Sequence, residues 1–257
     1  MLEKEKLKKE MENAIEWIRS YVKKSGANGI VIGNSGGKDS ATVLAMATKA
    51  IGKENVIAVS MPCFSNLNDF EDAKLVTETF GVKFITVDLS NSYKEMEKEI
   101  NLQLVSNLSK EAMINIKPRL RMTTLYGIAQ TLGYLVIGTG NLCEAMVGYT
   151  TKWGDNSSDF NPIGNFTVEE VLEIGRMLGV PDKILQKAPC DGLGGLTDEE
   201  KMGIKYRQIA EMIETGNTEE DAKQEIVRRY QNSKHKRSLV PVYTFERKNF
   251  LKEEERK

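Results

Sequence analysis

Residues 29–40, Gly-Ile-Val-Ile-Gly-Asn-Ser-Gly-Gly-Lys-Asp-Ser, constrain this chain more than any other stretch. Ile30, Val31 and Ile32 form a β-branched run that predicts a short buried strand. Gly33, Gly36 and Gly37 then allow a tight turn whose backbone can approach a ligand closely. From Lys38 to Ala50 the residues Ala41, Leu44, Ala45 and Thr48 recur at helical spacing. Strand, Gly-rich turn and helix together present free backbone N–H groups and a helix N-terminus to an anion. Asn34, Ser35 and Ser40 lie in this turn with the Lys38 cation and the Asp39 carboxylate, which can hold a metal. The turn predicts a site for phosphate and magnesium.

The same strand–helix rhythm continues down the chain. Strands are expected at Asn55–Ser60, Lys83–Val87 and Tyr134–Ile137, and helices at residues 2–24, Asn68–Phe80, 90–107 and from Pro118 to Leu132. Alternation of this kind predicts an α/β fold with a doubly wound parallel sheet. The last of these strands runs into Gly138-Thr-Gly-Asn-Leu-Cys-Glu144, a second Gly-rich strand-to-helix turn. Ligands of parallel sheets bind beyond the carboxyl ends of strands, so both Gly-rich turns should share one sheet edge. Residues 148–165 and 188–197 read as loops over that edge. A helix capped by Thr167 runs to Gly179, and one capped by Thr197 continues to Tyr230. No repeat or linker divides the chain, so a single domain is expected.

Composition narrows the function. Thirty-six basic and 37 acidic residues leave a net charge of −1, which disfavours a nucleic-acid coat protein. The three cysteines Cys63, Cys143 and Cys190 lie far apart, without a zinc or dithiol spacing, and fit a reducing cytosol. No apolar run is long enough to cross a membrane, and a cytoplasmic protein without membrane or nucleic-acid partners is expected.

Several motifs compete for the first turn. A P-loop needs Gly where Ile32 stands and Ser or Thr where Asp39 stands, and a dinucleotide fingerprint needs Gly at Ser35. Gly33-Asn-Ser-Gly-Gly37 does satisfy the G-x-S-x-G of a hydrolase elbow, with His235 downstream. That elbow requires several strands before the nucleophile, and too few residues precede Gly33 to form them.

Ser35-Gly-Gly-Lys-Asp-Ser40 resembles the pyrophosphate loop of the N-type ATP pyrophosphatases, Rossmann-like proteins of the adenine nucleotide alpha-hydrolase type. Residues 138–155, Asp159-Phe-Asn-Pro162, Lys117-Pro-Arg-Leu-Arg-Met122, Lys187-Ala-Pro189 and His235-Lys-Arg237 are together similar to the NAD synthetases. The resemblance implies an ammonia-dependent ligase that makes NAD from deamido-NAD and ATP through an adenylate, acting as a homodimer. It places ATP on residues 33–40, on Thr139 and near Cys190; within the first turn Ser35 and Lys38 are candidate catalytic residues. It places magnesium between Asp39 and Glu144. It places deamido-NAD on Arg119, Lys152, Asp159, His235 and Lys236. Ammonia is mostly ammonium at neutral pH, so a proton acceptor is needed, and Asp159 is the candidate. A chain of 257 residues leaves no room for the glutaminase domain of glutamine-using relatives.

Two positions depart from the family. Val168 stands where many members carry lysine, and Cys190 where they carry threonine or serine. Lys38 stands where many carry glutamine. A tRNA-modifying adenylase and a non-catalytic nucleotide sensor are the rival readings. The first should bring thiolation cysteines or a nucleic-acid surface, and the second does not need the acidic pair.

Overall fold

The computed structural model describes residues 2–187, 197–243 and 245. Four strands, β1 (Gly29–Gly33), β2 (Val56–Ser60), β3 (Lys83–Thr86) and β4 (Tyr134–Val136), hydrogen-bond in the order β3-β2-β1-β4. Every neighbouring pair is parallel, as the strand–helix alternation requires. Helices α1 (Lys4–Ser25), α2 (Lys38–Ile51), α3 (Leu67–Phe80), α4 (Ser90–Leu104) and α5 (Lys110–Leu132) connect or flank the strands.

Alternation along the strands divides the core between two faces. Ile30 and Ile32 of β1 and Val56 and Ala58 of β2 pack with α1 and α2. Val31, Ile57 and Val59 point the other way, onto Tyr93 of α4 and Ala129 of α5. The sheet is therefore doubly wound. Chain order reverses at β1, which has β2 on one side and β4 on the other. The carboxyl ends of β1 and β4 thus form the crevice where such sheets take ligands.

Beyond β4 the chain continues through α6 (Leu142–Val147), α7 (Val168–Leu178), α8 (Asp182–Leu185), α9 (Asp198–Met202), α10 (Tyr206–Thr215) and α11 (Glu220–Asn232). The first-turn face of α7 and helices α6, α10 and α11 enclose a second apolar cluster that includes Cys143, Val168, Tyr206, Ile209 and Ile226.

Two helix expectations are corrected. The helix expected to open at Pro118 begins at Lys110, where the Ser109 hydroxyl accepts the Ala112 N–H, and Pro118 lies inside it. Pro118 has no N–H to give the Ile114 carbonyl one turn back. The continuous helix expected from Thr197 to Tyr230 is three helices. Gly203 and Gly216, at φ 72 and 73°, end the first two in the left-handed conformation that glycine adopts without strain.

Asp72 of α3 clamps the segment after α8. Its carboxylate takes Lys183 and Lys187, each at 2.7 Å. Burial pushes this carboxyl up, but the two ammonium hydrogen bonds outweigh burial and hold it below the usual range. A carboxyl lowered by folding stabilises the protein above its unfolded pKa, about 4, and stops doing so as pH falls through its folded value. Asp72→Asn is therefore expected to lower the melting temperature clearly at pH 7. The difference from wild type should shrink progressively below about pH 4, as melts across that range will test.

Candidate active site

Beyond the carboxyl ends of β1 and β4 lies a cavity of about 630 Å³. Its walls include Gly33, Asn34, Ser35, Gly37, Lys38, Asp39 and Ser40 from the first turn, and Gly138, Thr139, Gly140 and Glu144 from the second. The two Gly-rich turns share the sheet edge, as their place in the strand order requires.

The first turn is held open from behind. The Asn34 side chain donates to the Ala73 carbonyl at 2.9 Å and accepts the Gly36 N–H at 3.1 Å. Asn34 thus ties the turn to α3, and its side-chain polar groups are already engaged. Gly36, at φ 73°, lies flat on the same helix. A Cβ there would stand 2.6 Å from the Asp69 carbonyl and 2.8 Å from the Asp72 Cβ. Only glycine fits. In front, the Ser35 and Ser40 hydroxyls are 3.2 Å apart, and Ser35 Oγ accepts the Gly37 N–H at 3.3 Å. Backbone N–H groups, two hydroxyls and the start of α2 form an anion cradle. Lys187, fixed by Asp69 and Asp72 at 2.7 Å each, adds a cation to the cavity wall.

The second turn supplies the acid. Asn141, almost fully buried, caps α6 in a capping box with Glu144. Its backbone N–H donates to Glu144 Oε2 at 2.9 Å, and its side-chain amide donates to Asp39 Oδ1 at 3.3 Å. One asparagine thereby brings together carboxylates 105 residues apart in sequence, at 39 and 144. Burial, then the Asp39 charge, pushes the Glu144 carboxyl up to about 8. The Lys38 ammonium stands beside them, with its Nζ 3.1 Å from Asp39 Oδ2. Burial pulls the Lys38 ammonium down, but Asp39 and Glu144 outweigh it and raise its pKa.

Several residues expected at the site are not among the cavity walls. Asp159 does not line the cavity. It pairs the loop with β4, accepting the Val136 N–H at 2.7 Å and the Tyr126 hydroxyl at 3.2 Å. Asp155, in the same loop, does line the cavity, and its Oδ1 accepts the Thr151 N–H at 2.6 Å. Burial among the cavity walls pushes its pKa up. Arg119 is likewise outside and donates to the Lys152 carbonyl at 3.2 Å. Arg121, two residues on and so on the opposite side of α5, lines the cavity and donates to the Met61 carbonyl. Lys152 lies over Trp153 at 5.2 Å.

At the C-terminal motif, Lys236 lines the cavity and donates to the Gly148 and Thr150 carbonyls at 2.8 and 2.5 Å. His235 is exposed and is not among the cavity walls. Val168 is buried in the helical cluster and offers the cavity nothing polar. Cys190 and most of the Gly-rich segment 188–197 lie outside the described residues. Sequence reasoning did not single out Asn141, Arg121 or Asp155, although they lie within the motifs 117–122 and 138–155. Asn141 also carries the Asn-x-x-Glu pattern of a capping box.

A family model for NAD synthase matches residues 10–240. The chain belongs to the NAD synthase family. Members couple ATP to the amidation of deamido-NAD, so the chain is an ATP-dependent ligase forming a carbon–nitrogen bond. It is 42% identical over 232 residues to the NH3-dependent NAD synthetase of Carboxydothermus hydrogenoformans, covering 90% of this chain and 95% of that protein. Among solved structures, an NMN synthetase from Francisella tularensis superposes with a TM-score of 0.88 at 32% identity, covering 93% of this chain and 99% of that one. An NH3-dependent NAD synthetase from Campylobacter jejuni gives 0.78 at 26% identity over the same shares. Membership in the NAD synthase family agrees with a phosphate cradle placed beside a carboxylate pair.

Proposed function

We propose that this chain adenylates the nicotinate carboxylate of deamido-NAD and passes it to free ammonia, giving NAD, AMP and pyrophosphate. The observation that carries the reading is Asn141, which hydrogen-bonds both Asp39 of the phosphate cradle and Glu144 of the second turn. Two hard carboxylate oxygens with space for phosphate and water suit magnesium, so Asp39 and Glu144 would hold it. Magnesium, when bound, neutralises the triphosphate and stabilises departing pyrophosphate.

The chain's own groups do the rest. The N–H groups of residues 35–40, with the Ser35 and Ser40 hydroxyls and Lys187, grip the β- and γ-phosphates. Thr139 and Gly140 border the α-phosphate side. A carboxylate oxygen of the nicotinate attacks the α-phosphorus as the bond to pyrophosphate breaks. Ammonia then attacks the acyl carbon, and the C–O bond to AMP breaks. The surplus proton goes to a carboxylate, and this reading favours Asp155, which lines the cavity, over Asp159. Lys236, charged and set beside Asp155, faces the nucleotide substrate from the C-terminal motif. Arg119 and Lys152 stand at the outer rim, where the far half of a dinucleotide would extend. Asp155→Asn is expected to lower kcat about a hundredfold with ammonia saturating. Asp159→Asn should mainly lower the melting temperature, because its oxygens bind backbone and tyrosine. The reverse pattern would return the proton to Asp159.

Ammonia as nitrogen donor is supported by the NH3-dependent relatives. Full turnover of the pure protein on glutamine alone would refute it. A homodimer is supported by α5. Its apolar side chains Ile116, Leu120 and Ile128 pack on the sheet yet stay only partly buried. We place the protein in the cytosol, in keeping with unpaired buried thiols. Among the described residues no helix is long and apolar enough to cross a membrane.

The likeness to the Francisella NMN synthetase favours a second reading, in which the mononucleotide is amidated instead. Both substrates present the same carboxylate, so the cradle serves either. The deciding experiment supplies MgATP and ammonia with deamido-NAD or its mononucleotide and compares kcat/KM. A higher value for deamido-NAD supports the first reading, and a higher value for the mononucleotide the second.

A further inference from the structure

We infer that the Lys38 ammonium competes with a divalent ion for Asp39 and yields to it only together with the nucleotide. The inference rests on the placement of magnesium at Asp39 and Glu144. Both oxygens of Asp39 are engaged: Oδ1 by the Asn141 amide at 3.3 Å and Oδ2 by the Lys38 ammonium at 3.1 Å. The Lys38 side chain is 8% exposed, so solvent screens this pair weakly. On its far side the ammonium lies 5.7 Å from the centre of the Tyr206 ring, within cation–π range.

Three carboxylates attract this ammonium: Asp39, Glu144 and Asp198. Asp198 belongs to the same wall, since it accepts the Tyr149 hydroxyl at 3.1 Å and the Tyr206 hydroxyl at 3.5 Å. A free divalent ion approaching Asp39 and Glu144 therefore meets a fixed positive charge bonded to one of its two ligands. Repulsion at such separations is worth several-fold to many-fold in affinity even at a high effective dielectric. A nucleotide changes the balance. Its phosphates offer the ammonium new partners across the turn, and the flexible lysine stem lets it leave Asp39 without moving α2. The metal and ATP then enter as one.

The test titrates Mn²⁺ into the full chain and follows free Mn²⁺ by electron paramagnetic resonance, without nucleotide and with ATP but no second substrate. Lys38→Met keeps the volume and removes the charge, and Lys38→Gln serves if the first variant melts early. Without nucleotide, either variant should bind Mn²⁺ about tenfold tighter than wild type or more. With ATP the gap should close or reverse. Asp39→Asn separates the two layers of the argument. If it abolishes Mn²⁺–ATP binding while Lys38→Met and wild type bind free Mn²⁺ equally, the Lys38 inference is overturned and the metal placement stands. If Asp39→Asn leaves Mn²⁺–ATP binding intact, both are overturned.

Discussion

Asp39→Asn and Glu144→Gln are each expected to lower kcat about a hundredfold or more, the scale of losing one preorganised charge at a phosphoryl-transfer centre. Their folding should be little affected. Asn at 39 can still meet the Asn141 amide, and Gln at 144 can still complete the capping box, which accepts Glu or Gln alike. Steady-state AMP release beside a thermal melt separates the two effects. Loss of turnover with an unchanged melting temperature supports a shared cation, and wild-type rates in either variant would remove that carboxylate from the site. The buried pair also predicts that the double variant costs little more than the worse single one. Groups acting through one ion are not additive.

Gly36→Ala carries the largest expected effect on stability. The new methyl would meet backbone and Cβ atoms of α3 at 2.6–2.9 Å, none of them the end of a flexible side chain. It would also impose φ 73° on a residue with a Cβ. Strain and overpacking together should cost about 3 kcal/mol or more. Urea unfolding will measure this. Because the turn must shift to survive, ATP affinity should fall as well. A variant as stable as wild type would mean that the contact of the turn with α3 is not what holds the cradle open.

Legibility of this chain in its sequence followed the range of the forces involved. β1 and α2 were readable because β-branched residues and helical spacing are local signals, and glycine marks the turn between them. That both Gly-rich turns share an edge was also readable, because parallel strands leave little choice of where their carboxyl ends point. Asp155 and Asp159 could not be told apart. They are four residues apart in one aperiodic loop, and only the bridge between Ile137 and Phe160 turns Asp159 toward β4. That Arg121 rather than Arg119 lines the cavity was hidden for a related reason. The expected helix started at Pro118, so its facing was unanchored, whereas the observed helix starts a full two turns earlier at Lys110. Lys38 was legible as a cation in a phosphate turn but not as the partner of Asp39. Adjacent residues on a helix seldom face each other, and here the enclosure by Tyr206 and Asp198 bends the ammonium back. That wall comes from a part of the chain about 160 residues later, a separation read from the numbering 38 and 198.

The central claim is that the substrate carboxylate attacks the α-phosphorus of ATP held in the first turn. Deamido-NAD labelled with ¹⁸O in both carboxylate oxygens tests it directly. After turnover with MgATP and ammonia, mass spectrometry should find one ¹⁸O in the phosphoryl group of AMP, one in the amide of NAD and none in pyrophosphate. Label in inorganic phosphate with release of ADP, or unlabelled AMP, would contradict the account.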